Sequence, residues 1–443
     1  MFPADKTALD LLDEACALSG ESPKSLSETH ERFLSRRLEP GDKYTLPTYI
    51  IASGPLNQQT VQAAETFYQA GRLFERRSHL KAALESLYWS YRLYERLPGD
   101  EFRDKEALSL FSSATVNLSL AERAKDERER AEYYRSAAEF FMRAAWVAER
   151  SNSLKDARDY YSNAAHRYHS ANAMKESAYA AHDEADVSNK LGETERAAQS
   201  LVLAAERLAA AEKGRPPSDV DILRHVQSEW YREAAYHYKK LGTQQFKKNA
   251  LDAFESATRA ALSTHTPELQ KVLDDYREAI ELAQGLGRHE ELDQLRYSFH
   301  TARRGKASQD NQRLFVFLSQ LNDLLWGYGT MPLRLGRAMS LTVVIFGIIY
   351  FVCGQVQLKM NSIDREISPG LYALVCIAYS VYVLLPTGII KWLTGFGLIV
   401  QFEVSGVSVW FSAIQAVVGL IYLAMATVFV QRTLRRMFHE KPE

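Results

Sequence analysis

The distribution of charge divides this chain into two kinds of polymer. Residues up to about 312 are charged, Ala-rich and helical in pattern, whereas residues from about 338 to 431 carry almost no charge. One globular domain does not accommodate both, because the second stretch supplies too few polar groups to face water. The pattern predicts a soluble head joined to a membrane tail. A length of 443 residues agrees, corresponding to two or three domains at roughly 150 residues each. Net charge is −1, which leaves no basic surplus to neutralise phosphates and excludes nucleic acid as the expected partner. The three cysteines, Cys16, Cys353 and Cys376, are too few for a disulfide framework and lack metal-binding spacing, so the head is expected in a reducing compartment. The N-terminus has no basic start followed by an apolar run, and no signal peptide is expected.

From about 60 to 303 the sequence reads as helix after helix. Tyr134, Ala137, Ala138, Phe141, Ala145 and Ala148 recur at helical spacing on one face, and Leu154, Ala157, Tyr161, Ala164, Ala165 and Tyr168 repeat the pattern. Short breaks at Leu154-Lys155-Asp156, Met174-Lys175-Glu176 and Leu191-Gly192-Glu193 are 20 and 17 residues apart, predicting a two-helix hairpin every 37 residues. Small Ala on close faces with Tyr or Phe between them fits a stack of such hairpins. The stretch resembles degenerate tetratricopeptide repeats of the long-helix kind found in soluble NSF-attachment proteins. Gly214-Arg215-Pro216-Pro217-Ser218-Asp219 is expected to divide the array. Residues 1–59 form an N-terminal segment read as two helices, about 5–18 and 26–37, and a connection. His166 and His169 lie on one helix without a third ligand in sequence, so they read as surface residues rather than a metal site.

Three apolar segments follow a linker and pre-membrane helix at 304–337: Ala338 to about Val356, Leu371 to about Ile390, and Val407 to Val430. Basic residues stand on both sides, with Arg303, Arg304, Lys306, Arg313, Arg334 and Arg337 before, and Arg432, Arg435, Arg436 and Lys441 after. Basic flanks stay cytoplasmic, so the 338–431 domain must cross an even number of times, and one of three segments must turn back. The middle one contains Pro386 and Gly388 and leads into Leu393, Thr394, Gly395, Phe396 and Gly397. Glycines around an aromatic permit backbone conformations that aim carbonyl oxygens at an axis, where they replace the water around a cation.

Helix, re-entrant loop with Thr394-Gly395-Phe396-Gly397, then helix resembles the pore domain of two-transmembrane potassium-channel-like proteins over about residues 314–438. Trp326, Gly327, Tyr328, Gly329 and Pro332 match the family's pre-helix motif, and Gln415 and Gly419 match a spacing in its second helix. The resemblance implies a homo-tetramer, a filter at Leu393–Gly397, and a pore-lining or hinge face at Ser412, Gln415, Ala416, Gly419 and Thr427. Leu393 and Leu398 depart from the family pattern and imply weak potassium preference.

The expected fold class is all-α: a soluble α-solenoid of helical hairpins, then a helical membrane domain with two crossings and a re-entrant pore loop, ending in a basic tail at 432–443. The expected function is a non-enzymatic cation channel of the plasma or inner membrane, with both termini cytoplasmic. It needs no cofactor beyond a permeant monovalent cation, potassium in the family. The repeat domain is expected to bind a protein or small-molecule ligand and bias gating. Two alternatives stay open: a membrane-anchored scaffold that recruits a protein without conducting, and a defence-type pore effector.

Overall fold

The computed structural model describes residue 14 and residues 58–76, 78–326, 332–353, 356–359, 369–384 and 401–439. The chain forms two compact units, Met1–Glu268 and Leu269–Glu443.

The first unit is a succession of helices, each packed on the next: α1 Gln58–Arg76, α2 Leu80–Tyr94, α3 Asp100–Arg123, α4 Glu127–Arg150, α5 Leu154–Ser170, α6 Met174–Lys190, α7 Thr194–Ala210, α8 Pro217–Leu241 and α9 Gln244–Leu262. Adjacent alanines explain the close stacking. Ala137/Ala138, Ala164/Ala165, Ala180/Ala181 and Ala197/Ala198 are all buried, and two neighbours 100° apart open a helix to approach from two sides. Aromatics fill the wider gaps, as where Phe111 meets Phe141 and Tyr160 at ring separations of 5.8 and 5.3 Å.

The hairpin period differs from the spacing of the sequence breaks. Helices α5, α6 and α7 start at Leu154, Met174 and Thr194, two equal steps of 20, so a hairpin takes about 40 residues rather than 37. Leu191 caps the end of α6 instead of opening α7, which shortened the interval read from sequence. Each of these links contains one left-handed residue, Asn152 (φ 61°), Asn172 (φ 57°) or Gly192 (φ 77°). Asn and Gly are the residues that tolerate this region, which is why the breaks looked unlike one another in sequence. The Gly214–Asp219 stretch does not end the array, because α7 and α8 pack directly. Pro217 instead occupies the first turn of α8, where its missing N–H costs nothing.

The second unit contains α10 Leu269–Gly285, α11 His289–Gln309, α12 Arg313–Trp326, α13 Pro332–Cys353, α14 Pro369–Leu384 and α15 Ser408–His439. It also contains a feature the all-α expectation lacked: strands β1 Val356–Lys359 and β2 Gln401–Val404 pair antiparallel, with Val356 opposite Val404 and Lys359 opposite Gln401. Two helical stretches, Arg334–Cys353 and Ser408–Thr427, are long and apolar enough to cross a membrane, at 20 residues or about 30 Å each. The third apolar helix, α14, has 16 residues.

Candidate functional site

Two side-chain clusters set the directions of α13, α14 and α15. At one end Tyr350, Val356, Val375, Cys376 and Tyr379 are buried together, with Phe411 against them. At the other, Leu335, Ala338, Leu384 and Tyr422 form a second cluster. Helix α13 therefore runs from the second cluster to the first, while α14 and α15 both run back. Two glycines let α14 approach its neighbours. A Cβ on Gly347 would lie 3.1 Å from Ile377 Cγ1, and one on Gly419 would lie 2.6 Å from the Leu384 carbonyl oxygen.

The interface of this trio is polar. The Tyr350 hydroxyl donates to Gln415 Oε1 at 2.7 Å, and Gln415 Nε2 donates to the Ser380 carbonyl and Oγ at 2.8 and 2.7 Å. Tyr350, Ser380 and Gln415 are all fully buried. Tyr379 shares a hydrogen bond with Ser412 at 2.8 Å, and Thr342 shares one with Tyr422 at 2.9 Å. Every helix of the trio thus contributes polar groups that would be costly to leave unpaired in an apolar medium.

These contacts place the residues singled out in the third apolar segment. Ser412 and Gln415 face α13 and α14 of their own chain, and Gly419 meets the end of α14. Thr427 is exposed and donates to the Leu423 carbonyl one turn back, and Ala416 is half-buried. The filter residues Leu393, Thr394, Gly395, Phe396 and Gly397 lie outside the described residues, as do Gly327, Tyr328 and Gly329. Trp326 ends α12 and Pro332 begins α13. Leu384 sits in the cluster with Leu335 and Tyr422, while Gln401 pairs with Lys359 beyond the other end of α13.

Sequence reading missed Thr342, Tyr350, Ser380 and Tyr422 as partners in this network. The available signal was their presence as polar groups inside apolar segments, where such groups face other helices. It also missed Asp323, an acid on α12 that accepts from Arg304 of α11 at 2.9 Å and from Arg334 of α13 at 2.5 Å.

In the first unit, α5 and α7 flank an open furrow of about 810 Å³. Arg158 crosses it to Glu193 with two hydrogen bonds of 2.6 and 2.8 Å, and Arg196 Nε reaches the buried Glu184 at 3.1 Å. Further along the same face of α7, Arg207 is only 6% exposed, and its NH1 nitrogen has no hydrogen-bond partner among the described residues. Burial lowers the pKa of this guanidinium against the opposing charges of Glu184 and Glu206. His166 lines the furrow and His169 is exposed nearby.

The one group of three potential metal ligands among the described residues is His182, Asp183 and Asp186 on α6. Burial opposes a charge on His182, but its hydrogen bond to Asp183 and the nearby Asp186 charge outweigh that and raise its pKa. The imidazole also packs on Trp230 at a ring separation of 4.8 Å. Pairing with its own helix and ring packing account for this histidine.

No family model matches the chain, and no curated protein does. Among solved structures, BtubC (BKLC) from P. vanneervenii aligns at 13% identity over 58% of this chain and 93% of its own, with a TM-score of 0.26. A computational design of self-assembling cyclic protein homooligomers aligns at 17% identity over 69% of this chain and 96% of its own, with a TM-score of 0.15. Neither superposition is close enough to carry functional meaning. The chain is a consecutive, repeat-like helical protein with two candidate membrane-spanning helices.

Proposed function

We propose that this chain is a non-enzymatic membrane protein that passes monovalent cations as a homo-tetramer, with a cytosolic repeat unit that binds an effector and biases the pore. The observation that carries the reading is the β1–β2 ladder. It returns the chain, after α14 and the 385–400 stretch, to the end of α13 from which it departed. An excursion that begins and ends on one side, between two antiparallel candidate spans, is what a re-entrant segment requires, and it keeps both termini on the basic, cytoplasmic side. Gly395 and Gly397, which lie outside the described residues, carry the filter assignment on their sequence alone. The furrow lined by Arg158, His166 and Arg196 is the corresponding candidate for effector binding, since its basic groups suit a carboxylate or phosphate.

A second reading, a membrane-anchored scaffold, is favoured by Gly419 and Gln415. Their contacts lie within one chain's trio and need no water-filled path. Purified protein in a planar bilayer, with sodium and potassium exchanged, separates the two. A cation current of weak potassium preference, abolished or made unselective by the double substitution Gly395→Ala and Gly397→Ala in an intact tetramer, supports the channel. Absence of current from correctly assembled protein supports the scaffold.

A further inference from the structure

Helix α12 carries five large apolar side chains on its outside. Leu314, Phe317, Leu318, Leu321 and Leu324 are 73, 61, 52, 40 and 71% exposed. At 100° per residue they fall within an arc of about 120°. Among the described residues of the first unit no such stripe occurs: the exposed large apolar residues Leu108, Trp146, Ile222, Tyr236 and Leu262 are spread over four helices. Single exposed apolar residues are ordinary on a protein surface, whereas a continuous face marks a contact with something apolar.

The opposite side of α12 fixes which way that face looks. Asp323 stands about 160° from the centre of the arc and accepts from Arg304 of α11 and Arg334 of α13. Arg334 also donates to the Asp323 backbone carbonyl at 3.0 Å and lies 5.5 Å over the Tyr297 ring. Ser319 is buried on the same side. Helix α12 is therefore held between its neighbours by its polar side, and its leucines are turned out.

We propose that α12 lies along the membrane surface as an interfacial helix, with its leucine face at the headgroup–acyl boundary and the surrounding arginines against anionic headgroups. Three observations select lipid over other occupants. The helix has 14 residues, about 21 Å, too short to cross a core of about 30 Å. It directly precedes α13, whose Leu341, Ile345 and Ile348 are likewise exposed. Arg313 is exposed at the start of α12, Arg337 is exposed in the second turn of α13, and Arg303 of α11 packs on Phe315 at 5.1 Å, basic groups that suit an acidic leaflet. The inference rests on α13 being a span.

The test uses the full-length chain with its native cysteines replaced by alanine, reconstituted in vesicles of phosphatidylcholine and phosphatidylglycerol at 3:1. Nitroxide labels are placed through Leu318→Cys, Leu321→Cys, Gln320→Cys and Ile348→Cys, one at a time. At 318 and 321, collisions with oxygen should exceed those with a water-soluble nickel chelate several-fold. At the exposed polar position 320 the order should reverse, and 348 should read as deep lipid. Omitting phosphatidylglycerol should reduce the oxygen-to-nickel ratio at 318 at least twofold, and an unchanged ratio overturns the headgroup contact. Water-like values at 318 and 321 with 348 in lipid overturn the interfacial helix while leaving the span intact. Water-like values at 348 as well overturn both. Spin–spin broadening at 318 that disappears on dilution with unlabelled chain assigns the face to a second copy and overturns the lipid contact.

Discussion

Among the described residues of the first unit, the largest buried side chains are aromatic or aliphatic and most charges lie outside, Glu184 and Arg207 being exceptions. In the trio α13–α15, Gln415, Ser380 and Tyr350 are buried while Leu341, Ile348 and Leu420 look outward. The difference lies on the outside: the described surface of the first unit is mostly charged or polar, whereas that of the trio is mostly apolar around a core that includes hydrogen-bonded polar groups. The contrast is the one expected if the proposed spans face lipid: water drives apolar side chains inward, whereas in lipid the apolar side chain has nothing to gain from burial and the polar one has much to lose outside.

The sharpest way to break this contrast is one substitution at two sites of similar exposure. Ile222 on α8 is 64% exposed and Ile348 on α13 is 58% exposed. Ile222→Lys should leave thermal unfolding within about 0.5 kcal/mol of the parent, because both side chains contact water there. Ile348→Lys should cost about 3 kcal/mol of membrane insertion, seen as loss of the carbonate-resistant fraction. Equal tolerance at the two sites would mean that α13 also faces water.

A smaller effect is expected at Gly419. Its Cβ would meet the Leu384 carbonyl oxygen at 2.6 Å, a backbone atom that cannot swing aside. Gly419→Ala should therefore push α14 away and cost about 1–3 kcal/mol of stability in detergent. If the glycine acts only as a hinge, stability holds and open probability changes instead.

The smallest effect tests the soluble side of the contrast. Burial, reinforced by the charge of Glu95 and opposed by Arg103, pushes the Glu106 carboxyl up to about 7 from 4.5. Its folded pKa lies above the unfolded one, so its contribution to stability is complete below about 4.5 and is lost as pH rises through about 7. Glu106→Gln should remove that loss, stabilising the first unit at pH 8 relative to pH 5 on the order of 1 kcal/mol, its half-buried position reducing the effect. Parallel melting curves at the two pH values would remove Glu106 from the account.

These outcomes bear on what the sequence could disclose. The three apolar segments and the succession of helices were legible because hydropathy and 3.6-residue periodicity are local properties. The 40-residue hairpin was misjudged because Asn152, Asn172 and Gly192 perform one conformational task with two residue types. Ser412, Gln415 and Gly419 were visible as a small, polar helix face, but a face does not say what it meets. That Tyr350 and Ser380 meet Gln415 is a contact across 65 and 35 residues of sequence. The β1–β2 ladder was hidden for the same reason, being two four-residue stretches far apart in sequence.

The equal links between α5, α6 and α7 have a consequence for how such a head can change. Deleting one residue within α6 would advance everything beyond it by 100°, turning the Ala197/Ala198 edge of α7 out of register with its neighbour. Adding seven residues would keep the phase but lengthen one helix by about 10.5 Å beside partners of 17 residues. The stack already accepts such a difference, since the 24-residue α4 packs on the 17-residue α5, whereas the one-residue change breaks the phase; gaining or losing a whole hairpin keeps both. The head can therefore vary in whole turns of a helix or in whole hairpins, but not by a single residue within a packed helix.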